Sequence, residues 1–124
     1  MENLPLDKFG DLLMKRVRDK AIADWERMIT GEMKGVSAER IRREIASFRG
    51  DQIDVLLKLV PQIVDTTLHH FLFTVQQEQG VELLVNDPES GVQNVRGISD
   101  GLAGELYGSH GWIARFSSKS KEQG

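Results

Sequence analysis

Two residues on one predicted helix have the types and spacing that could support catalysis or metal binding. Asp65 and His69 are four positions apart, so they share one helical face. A carboxylate beside an imidazole can orient a general base, and the two groups can also act as metal ligands. The same spacing is typical of a surface ion pair that has no chemical role. We therefore treat Asp65 and His69 as candidate catalytic or metal-binding residues, with the structural interpretation left open.

The other two histidines and the glycine-rich segment give weaker indications of chemistry. His70 points about 100° away from its neighbour on the helix and is expected to pack at the edge of the core. His110 lies in a predicted turn flanked by glycine, where it is either presented to a substrate or solvated. The glycines of residues 97–111 lack the lysine and the long following helix of a phosphate loop, so we expect them to shape turns with positive φ.

Composition and charge narrow the classes of function. The chain has 124 residues, a net charge of −3 and no cysteine, so it has no disulfide, thiol nucleophile or thiolate metal site. Residues 61–124 carry more acidic than basic side chains, which disfavours nucleic acid and favours a protein or small-molecule partner. The first residues do not resemble a signal peptide, and no long apolar window spans a membrane. We expect a cytoplasmic protein with no cofactor.

Helical periodicity dominates the first two-thirds of the chain. Residues 6–30 predict one helix, ended by Gly31, with its apolar side on a broad arc. That arc comprises Phe9, Leu13, Met14, Val17, Ala21, Trp25 and Met28. A short helix is predicted over 38–48, capped by Ser37. Residues 52–79 predict a central buried helix that is apolar nearly all round, with a kink or a break into two helices at Pro61.

The pattern changes to that of a small sheet after Gly80. Residues 81–85 and 92–99 predict two strands joined by the turn-forming segment Asn86–Gly91. Residues 105–107 and 112–117 predict a hairpin around Gly108–Gly111. Trp112, Arg115 and Glu105 are the candidate interface residues of this region. We expect one domain over residues 1–117 and a disordered tail over 118–124.

Two segments carry a resemblance to known proteins. Residues 98–117 (ISDGLAGELYGSHGWIARFS) and residues 59–70 (LVPQIVDTTLHH) resemble small uncharacterised bacterial proteins. Some bacterial proteins of this size and layout are immunity proteins, which neutralise a toxin partner. The resemblance covers about a third of the chain and assigns a role to no individual residue.

The sequence therefore predicts an α+β fold in which two or three helices pack on one face of a small C-terminal antiparallel sheet. The favoured function is a non-enzymatic protein-interaction module of a bacterial cytoplasm, of the immunity type or self-associating. The alternative is a small metal-dependent enzyme or hydrolase that uses Asp65 and His69, with His110 as a further candidate.

Overall fold

The chain is α+β, with helices over most of its length and one small sheet, in a computed structural model that describes residues 4–119. It begins with α1 (Leu4–Leu12), which passes through a π-helical segment (Leu13–Arg18) into α2 (Asp19–Thr30) without a break. Gly31 ends this long helix in the left-handed conformation, with φ of 83°, as predicted. None of the helices within residues 4–119 combines the length and the apolarity that crossing a bilayer requires.

The π-helical segment changes which residues of the first helix are buried. A π turn inserts an extra residue, so the faces of α1 and α2 fall out of the common α-helical register. Beyond Met14 the buried positions are Arg18, Asp19 and Ile22. The predicted continuation of the apolar arc is therefore wrong, since Val17 is exposed and Trp25 retains 41% of its accessible surface.

Two further helices complete the helical part. α3 (Val36–Glu44) begins after Gly35, whose φ is 122°, and Ser37 makes no cap. α4 (Gly50–Gln77) is a single helix that runs through Pro61. Of the two predicted alternatives, the break into two helices is therefore wrong, and the kink stays a prediction. Gly50 is its first residue, and the backbone N–H of the N-cap residue Arg49 donates to Gln52 Oε1 over 2.8 Å.

The sheet has two antiparallel strands, β1 (Leu84–Asp87) and β2 (Gly91–Asn94), joined across the predicted turn. Leu84 pairs with Asn94, and Asp87 pairs with Gly91. The Asp87 carboxylate accepts hydrogen bonds from the backbone N–H and the hydroxyl of Ser90, both 2.8 Å long. These bonds lower the pKa of Asp87.

The predicted second hairpin is absent from the described chain. Residues Ala103–Leu106 form a 3₁₀ turn, and Trp112–Phe116 form the short helix α5. Trp112 and Phe116 are four residues apart, so they share one face in a helix as well as in a strand. A segment of five residues is too short to distinguish the helical period of 3.6 residues from the strand period of two. The interface candidates Glu105 and Arg115 therefore lie on the 3₁₀ turn and on α5, and neither lies on a strand.

The main core lies between α1, the π-helical segment, α4 and the C-terminal region. Trp112, a candidate interface residue, is completely buried and therefore belongs to this core. Its indole meets the Phe9 ring edge-on, with centroids 5.7 Å apart, and leaves no room for a Cβ at Gly10. The remaining core residues are Leu6, Leu13, Met14, Leu68, Leu72, Val75, Val95, Leu102, Ala103 and Leu106.

Candidate functional site

A buried ion pair holds one of the predicted site residues. Arg18 has no solvent exposure, and its guanidinium donates to both oxygens of Asp65, from Nε over 2.6 Å and from Nη2 over 3.1 Å. Nη1 donates to Ser117 Oγ over 2.9 Å. A bidentate pair of this kind fixes both partners strongly. Asp65 is thus engaged in joining α4 to the π-helical segment.

The same polar cluster fastens the C-terminal segment. Asp19 accepts the hydroxyl of Ser117 over 2.7 Å and the backbone N–H of Ser118 over 2.8 Å. Lys119 pairs with Glu26 over 2.9 Å. The first two residues of the predicted tail therefore have defined partners, and residues 120–124 lie outside the described chain.

His69 lines an open cleft that does not include Asp65 among its lining residues. Its Nδ1 is 3.1 Å from the Tyr107 hydroxyl, and its ring stacks parallel to Phe73. Burial raises the pKa of Tyr107, and the nearby Asp65 carboxylate raises it further. The cleft has a volume of about 570 Å³, and its lining residues are His69, Phe73, Gln76, Asp100, Gly101, Ala103, Gly104 and Glu105.

Hydrogen bonds within the chain occupy most of the polar groups of this cleft. Ser99 donates to Glu105 over 2.6 Å, and Gln76 accepts the backbone N–H of Ala103 over 3.2 Å. These hydrogen bonds hold the glycine-rich segment of residues 97–111 in place. Within it only Gly108 has positive φ, so the expectation of positive φ is wrong for its other glycines. Among residues 4–119, no group of three or more His, Asp or Glu side chains could hold a metal ion.

The structure separates the remaining candidates. His110 is exposed in its turn beside Ser109 and does not line the cleft with His69. His70 is exposed, so its expected place at the edge of the core is wrong. Arg115 pairs with Asp7 over 2.9 Å, which ties α5 to α1. Asp65 and His69 thus share a helical face but take part in different hydrogen-bond networks.

A third feature, which the sequence did not predict, is an apolar groove between α2, α3 and α4. Its volume is about 280 Å³ and, of its ten lining residues, only Glu44 is charged. The lining is completed by Trp25, Ile29, Ile41, Ile45, Leu56, Leu59, Val60, Ile63 and Val64. We call this set the apolar groove.

The apolar groove exists because α4 is apolar on more sides than the fold covers. The sequence pattern indicated a fully buried central helix, yet Leu59 and Ile63 are exposed. α2 and α3 cover one side of this half of α4, and the described chain supplies no further layer. The π-helical segment contributes as well, since its register change directs Trp25 to the groove and away from the main core.

Comparisons of the chain with protein-family models, with curated proteins and with solved structures found no match.

Proposed function

We propose that the chain is a non-enzymatic protein-interaction module that binds another polypeptide through the apolar groove. The observation that carries this proposal is the groove itself, in which nine of ten lining residues are apolar and only Val60 is buried. Exposed apolar surface of this kind is typical of sites that a protein partner covers, because its contact with water is unfavourable. The groove, with one charged residue and one aromatic residue, also resembles in composition the centre of a protein–protein interface, where charged residues are few and aromatic residues are enriched.

The alternative function, a metal-dependent enzyme or hydrolase, has less support from the geometry. Both oxygens of Asp65 accept hydrogen bonds from Arg18, so the carboxylate would have to give up a buried cation before it bound a metal. His69 contacts Tyr107 and Phe73. A metal bound in stoichiometric amount by untagged protein, and lost in a His69→Ala variant, would reverse this order.

Site-specific photo-crosslinking in the cells that make the protein tests the proposal. A photoreactive amino acid replaces Ile63 in the groove, and in a matched control it replaces Val92 on β2. The two side chains are equally exposed, at 61% and 62%. We expect a discrete crosslinked polypeptide from position 63 and none from position 92. No crosslinked polypeptide at position 63, or equal products at both positions, would refute the proposal.

The mass of the crosslinked product identifies the kind of partner. A product of twice the chain mass indicates self-association. A product of another mass indicates a different protein, as expected for an immunity-type module. A cytoplasmic location, which the absence of cysteine fits, belongs to this proposal.

A further inference from the structure

We draw no further inference here: the strongest candidate, the exposed apolar face of α4 that borders the apolar groove, carries none because nothing in the structure shows what covers it.

Discussion

Replacement of Asp65 by alanine is expected to be among the most destabilising single changes at a polar residue of this chain. It leaves the Arg18 guanidinium completely buried, with the Ser117 hydroxyl at 2.9 Å and an Asp19 oxygen at 3.5 Å as its remaining partners. Removing one member of a buried ion pair costs about 3–5 kcal/mol, because an uncompensated charge remains. Since the buried Asp19 carboxylate still compensates part of the Arg18 charge and Asp65 keeps a fifth of its side-chain surface, we expect a value near ~3 kcal/mol.

The reverse change should cost less. Arg18→Met removes the buried cation and leaves Asp65 partly exposed to water, while Asp19 keeps its hydrogen bonds from Ser117 and Ser118. We expect a loss of about 1–2 kcal/mol, comparable to leaving one acceptor imperfectly satisfied. The double variant Arg18→Met, Asp65→Leu should be more stable than Asp65→Ala alone, because well-packed apolar residues can replace a buried pair.

Urea unfolding measures these differences directly. With a slope of about 1.5 kcal/mol per molar, a loss of ~3 kcal/mol lowers the midpoint by about 2 M. The matched control is Lys15→Ala, which breaks the exposed pair between Lys15 and Asp11. That pair should contribute at most about 0.5 kcal/mol.

A result in which Asp65→Ala costs no more than Lys15→Ala would refute this reasoning. It would mean that Arg18 does not depend on Asp65 inside the fold. The carboxylate would then be free for chemistry beside His69, and the enzymatic alternative would gain support.

Three further predictions concern packing and pH. Gly10→Ala should cost about 1–3 kcal/mol in urea unfolding, because the new methyl group meets the Trp112 indole; Gly50→Ala, where the space is open, should be neutral or slightly stabilising. The raised pKa of Tyr107 contributes stability below its ordinary value of 10.0 that is lost as pH rises above it. Tyr107→Phe should therefore flatten the alkaline loss of thermal stability, and an unchanged slope would contradict this. The lowered pKa of Asp87 contributes stability above 3.8 that is lost as pH falls, so Asp87→Asn should reduce the acid-dependent loss, and an identical acid profile would exclude the effect.

Elements with long or strongly marked patterns could be predicted from the sequence. The central helix was predicted over residues 52–79 and forms over Gly50–Gln77. The chain turns within the predicted segment 86–91, although the strands extend into it as far as Asp87 and from Gly91. Asp87 and Gly91 supply the side-chain acceptor and the positive φ that the turn needs. Gly31 ends the first long helix for the same local reason.

The remaining features depend on contacts that no local pattern specifies. The π-helical segment has no sequence signature of its own, and its register change moved Trp25 out of the predicted core. The sequence nevertheless contained a signal for the burial of Arg18. Arg18 is four residues from both Met14 and Ile22, so helical spacing places it between two apolar residues on one face. The exposure of Leu59 and Ile63 could not be predicted either, because apolarity on all sides of a helix indicates that the helix is covered, without saying whether the same chain covers it.

The attachment of the last described residues to Asp19 has a consequence for synthesis on the ribosome. Ser117 and Ser118 come nearly a hundred positions after their partner, so the first long helix leaves the exit tunnel well before the groups that satisfy it. Until those serines emerge, Arg18 and Asp19 lack part of their hydrogen bonding. A chain that ends before Ser117 should retain this deficit in hydrogen bonding at Arg18 and Asp19.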